Sequence, residues 1–356
     1  MGTNQLTVIC PNTPPARCRK ALTGVADSRA VSTLTELSTE IPLPSRRILF
    51  VLSLDESGMT PELFRIIRTL RNSLHLLDGC TAGLVVDGRS DLYTKSAARE
   101  LVFAANHAGC AFVGRPLVEA IGDLRNLTVQ ARNASCSLEE AYHLAVQSLA
   151  ERILSFSLPC HIRPKLLVLH ASSRRTSNTM ALWDRVRAGL PDCFEIKEIG
   201  LRNGTLEDCA GCPYTTCLHF GEKGGCFYGG VIVEEVYPAI READALLFIC
   251  PNYNDALAAN LTACINRLTA LYRTTPFTDK GLFGIVVSGY SGGDIVASQL
   301  ISALCMNKGF WLPPRFCMLE TANDAGTAVK LPGIDSRLAV FSSAMKTVLC
   351  KNAHQD

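Results

Sequence analysis

Short apolar runs rich in β-branched residues alternate with helical patterns along this 356-residue chain, and the alternation occurs twice in the same order. In the second half, KLLVLHA (165–171) reads as a buried strand, followed by a Ser/Thr/Asn loop and the helical run TMALWDRVRAGL. FEIKEIGL (194–201) reads as a second strand. VEEVYPAIREA, ADALLFICP, LAANLTACINRLTALYR, LFGIVVSG (282–289) and GDIVASQLISALCMNKG then alternate helix and strand, and MLETAN supplies a last short strand. Buried strands alternating with helices specify a parallel sheet covered on both faces.

The first half repeats this order. QLTVICPNTPPARC, from Gln5, lines up with KLLVLHASSRRTSN, from Lys165. ILFVLSLDESGMTPELFRII, from Ile48, lines up without a gap with LLFICPNYNDALAANLTACI, from Leu246. TAGLVVDGRSD, from Thr81, lines up with LFGIVVSGYSG, from Leu282, and the helices that follow end at Gly109 and Gly309. Any two α/β domains share such periodicity, but three collinear matches favour duplication. The expected organisation is two tandem doubly wound domains, 1–157 and 160–356, the second with a cysteine-rich insertion at 209–226.

Composition narrows the function classes. With 47% hydrophobic and 19% charged residues the chain can bury sizeable cores. A formal net charge of +2 offers no field for nucleic acid or an anionic membrane surface, and no basic, aromatic-interleaved stripe is present. No apolar run is long enough to span a bilayer. MGTNQLTVIC lacks the form of a signal peptide or a myristoylation site. Most of the 16 cysteines lie in apolar runs, such as Cys250 and Cys305, where the thiol acts as a small hydrophobe. A reducing cytoplasm is therefore expected.

In doubly wound sheets ligands bind beyond the carboxyl ends of the strands, so three loops of the second domain are the places for chemistry. HASSRRTSNT (170–179) carries hydroxyls, Arg174, Arg175 and Asn178 at the start of a helix, where backbone N–H groups can complete an anion site. It lacks the GxGxxG and GxxxxGKS/T patterns. A polar, capped loop would look the same. CPNYNDALAANLTACINR (250–267) and VSGYSGGD (287–294) follow the next two strands. Gly289, Gly292 and Gly293 permit close approach to the backbone, and Tyr253 and Tyr290 can pack on a planar ring.

Together these segments resemble the NAD(P)H-dependent FMN reductase family of flavodoxin-like proteins. Its phosphate loop, G-S-P-R-x-x-S-N-T, reads here Ala171 to Thr179, with the family glycine and proline replaced by Ala171 and Ser173. Its S-P-x-Y loop and following I-D-R read Cys250-Pro251-Asn252-Tyr253 and Ile265-Asn266-Arg267. Asn254-Asp255 replaces the family's aromatic–glycine pair, and the glycine-rich third loop matches at Ser288 to Gly293. The resemblance covers 163–320. It implies an FMN phosphate on Ser172, Arg174, Ser177, Asn178 and Thr179. It also implies a flavin ring between Pro251, Asn252, Tyr253 and Asn254 on one side and Ser288, Gly289, Tyr290 and Gly292 on the other. The hydride chemistry is then borne by the flavin, without a catalytic side chain.

At the corresponding places the first domain has Pro11-Asn12-Thr13-Pro14-Pro15, with three backbone donors missing, and the acids Asp55 and Glu56. Asp91 and Leu92 stand where the second domain has Gly292 and Gly293. This domain is expected to be a degenerate copy without FMN, standing in for the partner subunit of a family dimer. A homo-oligomer is the other arrangement.

The insertion DCAGCPYTTCLHFGEKGGC holds Cys209, Cys212, Cys217 and Cys226. The iron–sulfur flavoprotein branch of the same family carries a compact four-cysteine motif at this place, which implies a 4Fe-4S cluster; here the gaps are longer. Zinc is a rival, although a single C-x2-C knuckle is unusual for it, and an unmetallated thiol set is another. The expected protein is a flavin-dependent oxidoreductase. NAD(P)H or a ferredoxin-like protein donates electrons to FMN, and the acceptor is not identified by the sequence. The contrasting class is a non-catalytic redox-sensing or zinc-bearing scaffold, which would show no steady turnover.

Overall fold

A computed structural model describes residues 5–172, 176–204 and 206–351. The chain divides into two compact units, Met1–Ser157 and Leu158–Asp356. The first contains β1 (Gln5–Ile9), α1 (Ala16–Ala26), β2 (Ala30–Leu34), β3 (Arg47–Leu54), α2 (Pro61–Asn72), β4 (Thr81–Gly88), α3 (Thr94–His107), β5 (Ala111–Ile121), α4 (Thr128–Ala134) and α5 (Leu138–Ser155). Its five strands are parallel in the order β2-β1-β3-β4-β5.

The second unit contains β6 (Lys165–His170), α6 (Asn178–Ala188), β7 (Glu195–Gly200), α7 (Tyr214–Glu222), α8 (Tyr237–Glu242), β8 (Ala245–Pro251), α9 (Ala259–Leu271), β9 (Gly281–Ser288), α10 (Gly293–Leu300), β10 (Cys317–Thr321) and α11 (Ile334–Leu349). Its parallel order is β10-β9-β8-β6-β7. Numbered within each unit, both sheets read 2-1-3-4-5, the flavodoxin-like order, with the switch point beside the first strand. Two flavodoxin-like sheets thus stand in tandem.

The strands explain the topology. Ile48 to Leu52 in β3, and Leu246 to Ile249 in β8, are wholly buried, as central strands between two helical layers must be. The helices bury one stripe each. In α2 these are Leu63, Ile66, Ile67 and Leu70, at helical spacing after a Pro61 start. In α6, Trp183 is fully buried and donates its indole N–H to Glu198 Oε2 at 3.1 Å. α11 closes the second unit against α6, with Ser342 Oγ donating to Val186 O at 3.2 Å. Among the described residues no helix is long and apolar enough to cross a membrane.

Candidate functional site

In the second unit β6, β8 and β9 are adjacent and run in one direction, so the loops after His170, Pro251 and Ser288 open at the same end of the sheet. The first loop leads into α6. Ser177 caps that helix, accepting from Met180 N–H, and its Oγ lies 2.7 Å from Thr179 Oγ1. Ser172 Oγ is buried without a hydrogen-bond partner among the described residues. A buried hydroxyl without a partner is a polar group left to be satisfied. Arg174, expected to face the same anion, lies outside the described residues.

Asn178 is used differently. Its amide donates to the carbonyls of Ala322 (3.2 Å) and Asp324 (2.8 Å) and accepts from Ala328 N–H (3.3 Å), tying α6 to the segment after β10. What it can still offer a ligand is its backbone N–H in the first turn. Below the loop, buried His170 bridges Ser172 O (3.2 Å) and Glu198 Oε1 (3.3 Å).

The second and third loops are laced together by Asn252. Its Nδ2 lies within hydrogen-bond reach of Asp255 Oδ1 (3.1 Å), Ser288 Oγ (3.0 Å) and Ser291 O (3.1 Å). Its Oδ1 is buried and unpartnered among the described residues. Asn254 and Asp255 both take positive φ, 55° and 56°, a conformation Asn and Asp tolerate better than other side chains. This turn swings the Asp255 carboxylate against Gly292, whose own φ is 84° and whose position has no room for a Cβ. The glycine thus makes space for a protein carboxylate as well as for any ligand. Gln299 of α10 fastens the turn, donating to Asp255 O and accepting from Leu257 N–H, both at 2.9 Å. Tyr253 and Tyr290 are 61% and 83% exposed, two aromatic rings left uncovered on neighbouring loops. Pro251 ends β8, and Gly289 begins the turn after β9.

In the cysteine insertion, α7 occupies the stretch between Cys212 and Cys226. Cys209, Cys212, Cys217 and Cys226 all line one cavity of about 300 Å³, together with Tyr214, Phe220 and Arg273. Arg273 donates toward Cys217 Sγ at 3.7 Å and stacks 4.9 Å above the Tyr214 ring. Burial, reinforced by Arg273, lowers the pKa of the Lys308 ammonium. The insertion is moored by the residues read as I-N-R. Asn266 donates to Asp208 Oδ1 at 3.0 Å, and buried Arg267 donates to Glu207 O (3.3 Å) and Gly229 O (2.6 Å). Among the described residues, no three His, Cys, Asp or Glu side chains are gathered closely enough to hold a metal ion. The donor set suits a four-thiolate group, and the thiols would have to draw inward to ligate it.

Sequence reasoning missed Gln299 and Arg273. Each acts on residues far from it along the chain, so no local spacing marks it. In the first unit it missed Arg17, whose guanidinium binds Asp87 through Nε–Oδ2 (2.8 Å) and Nη2–Oδ1 (2.6 Å) and donates from Nη1 to Gly122 O at 2.5 Å. There α1 begins after Pro15, with no side-chain cap.

Comparison with known proteins gives a family match within the second unit. Residues 164–324, less than half of the chain, match the family model described as NADPH-dependent FMN reductase, an oxidoreductase family. Among solved structures, the chain is similar to the NAD(P)H:quinone oxidoreductase of Methanothermobacter marburgensis, at 16% identity and TM-score 0.39, covering 50% of this chain and 97% of that one. It is also similar to RosB with bound 8-demethyl-8-formylriboflavin-5'-phosphate, at 16% identity and TM-score 0.36, covering 52% and 79%. A third is the FMN-dependent NADH-azoreductase of Bacillus anthracis in complex with FMN, at 11% identity and TM-score 0.31, covering 52% and 99%. No curated protein matches the sequence.

Proposed function

We propose that the second unit is a flavin-dependent oxidoreductase module, binding FMN beyond the carboxyl ends of β6, β8 and β9 and taking electrons from NAD(P)H. The observation that carries this reading is the FMN reductase match over 164–324, which spans all three loops. Bound FMN would supply hydride acceptance and donation. The residues do the rest. Ser172, Ser177, Thr179 and the first-turn N–H groups of α6 hold the phosphate, with Arg174 as a charge partner. Pro251, Asn252, Tyr253 and Asn254 form one wall of the ring site, and Ser288, Gly289, Tyr290 and Gly292 the other. The orphaned Ser172 Oγ and Asn252 Oδ1 support the assignment, since each needs a partner that the described residues do not supply.

For the cysteine insertion the reading is a 4Fe-4S cluster on Cys209, Cys212, Cys217 and Cys226. It is supported by the common cavity and by the cation Arg273 on its wall, which suits an anionic tetrathiolate. With a cluster, single electrons can pass to or from a ferredoxin-like protein. A second reading is a zinc-bearing or redox-sensing scaffold; the spread of the four thiols favours its unmetallated, redox-sensing form, since zinc, like a cluster, would require them to draw together. The test is an absorption spectrum of anaerobically purified protein, with flavin, iron, sulfide and zinc quantified on the same sample and NAD(P)H oxidation followed with quinone. One FMN per chain with steady turnover supports the reductase. Zinc or no group, with no flavin, supports the scaffold.

A further inference from the structure

The amino-terminal end of the second sheet, opposite the flavin loops, gathers three thiols that the functions above do not use. Cys193 lies in the loop entering β7, and Cys350 follows the last turn of α11. Their sulfurs are 3.8 Å apart although the residues are 157 apart in sequence. Backbone pairing holds them there. His161 N–H donates to Leu349 O at 2.7 Å, Lys351 N–H to His161 O at 2.9 Å, and Glu195 N–H to Pro164 O at 2.9 Å. The segment 161–164 thus fastens the C-terminal chain on one side and the lead-in to β7 on the other. Exposed Cys160 begins that segment.

We propose that Cys193 and Cys350 are a reversible disulfide-forming pair, oxidised by hydroperoxides. A disulfide needs about 2.05 Å between sulfurs, so they must close by roughly 2 Å. Cys193 lies in a loop and Cys350 just past a helix end, bridged to His161, so rotation about the two χ1 angles and a small shift of the Cys193 loop would supply the closure. Access differs between them. Cys193 is half-buried and open to a peroxide, whereas Cys350 is buried, and burial together with the contact to Cys193 pushes its thiol up. Cys193 is therefore the attacking sulfur. Its thiolate displaces the peroxide O–O bond, forming a sulfenic acid and releasing an alcohol or water. Cys350 sulfur then attacks Cys193 Sγ, the S–O bond breaks, and water leaves. In sum, two thiols and one hydroperoxide give one disulfide, one alcohol (or water) and one water, the two electrons coming from the sulfurs.

This pair differs from the other buried cysteines, such as Cys250, Cys264 and Cys305, which are sealed in the core and chemically inert. The bond would staple the C-terminal end of α11 to the β7 lead-in and close a long loop, which restricts the unfolded chain.

The test uses the full chain, treated with hydrogen peroxide, quenched with N-ethylmaleimide and digested without reductant. A Cys193–Cys350 cross-linked peptide, reversed by dithiothreitol, is expected in the wild-type protein and in Cys160→Ser, and absent in Cys193→Ser. Oxidation should raise the Tm of the second unit by on the order of 5–10 °C, with no such rise in Cys193→Ser. The proposal is overturned if peroxide doses that oxidise exposed Cys160 leave Cys193 and Cys350 as free thiols. It is equally overturned if the recovered link joins Cys160 to either of them in place of the pair.

Discussion

Arg17 and Asp87 join the first turn of α1 to the end of β4 by two charge-assisted hydrogen bonds, at 2.8 and 2.6 Å, with the Asp87 side chain only 4% exposed. The pair lies at the carboxyl end of the first sheet, on the wall of a cavity of about 640 Å³ that Asn12, Ser53, Asp55 and Arg89 also line. Where the second unit has serine and threonine hydroxyls around a helix start, the first has an ion pair closed on itself. Arg17→Ala leaves a buried carboxylate unpaired, and the expected cost to the first unit is about 3–5 kcal/mol. The double variant Arg17→Met/Asp87→Leu should recover most of it. Urea unfolding of the three proteins checks this, and equal stability of Arg17→Ala and wild type would show that the pair is solvated.

The same pair bears on cofactor content. Its guanidinium is already satisfied by Asp87 and Gly122, and Pro14 and Pro15 remove N–H donors from the loop before α1. The expected stoichiometry after loading with excess FMN is one flavin per chain. Two per chain, measured by absorbance of the acid-released flavin, would overturn the view of the first unit as a degenerate copy.

Ser172 and Ser177 separate binding from stability. Ser172 Oγ has no partner among the described residues, so Ser172→Ala should leave unfolding free energy within about 0.5 kcal/mol of wild type. Ser177 caps α6, so Ser177→Ala should cost about 1 kcal/mol. With the phosphate bound as proposed, both should weaken FMN by on the order of tenfold or more, since each would remove a hydrogen bond to a charged group. Fluorescence titration of FMN gives the affinities. A Ser172→Ala protein with unaltered FMN affinity would remove that hydroxyl from the phosphate site.

Gly292→Ala should fail at both levels. Its φ of 84° disfavours any side chain, and the new Cβ would overlap the Asp255 carboxylate that Asn252 holds. A loss of about 1–3 kcal/mol and a clear drop in flavin affinity are expected. In Gly292→Ala/Asp255→Ala the overlap with the carboxylate is gone, while the φ strain and the close approach of Asn252 Nδ2 (3.0 Å) remain, so partial recovery is expected. No recovery would mean that these two, and not the carboxylate, account for the loss.

The strands that frame the candidate site were legible in the sequence, and with them the fold. Leu246 to Ile249 and Leu282 to Val287 are apolar runs with no polar interruption, which a doubly wound sheet requires and little else explains. The loops followed from the strand ends. Contacts between distant segments were not legible. Asn178 reads as a phosphate ligand from its motif, yet its amide is tied to the carbonyls of Ala322 and Asp324, a partnership set by where β10 ends. Helix α7 hides among the cysteines because Tyr214 to Glu222 buries almost nothing, leaving no apolar stripe to read. β2 was missed because AVSTL is an edge strand with only partial burial.

The buried thiols set an alkaline limit on stability. Burial raises Cys18 and Cys80 in the first unit from 9.0 to about 11, and Cys264 in the second from 9.0 to about 12. The folded state keeps these protons while the unfolded chain releases them above about pH 9. Between about pH 9 and 11 the unfolded state therefore binds fewer protons, and stability falls as pH rises, by up to about 1.4 kcal/mol per pH unit for each such thiol. Below pH 9 the contribution is fully present and flat. Urea unfolding at pH 7.5, 9 and 10.5 should show little change over the first interval and a marked loss over the second. Cys264→Ala, which removes one such thiol from α9, should flatten the alkaline slope of the second unit by about one proton. An unchanged slope in that variant would mean that the Cys264 thiol ionises alike in the folded and unfolded chain.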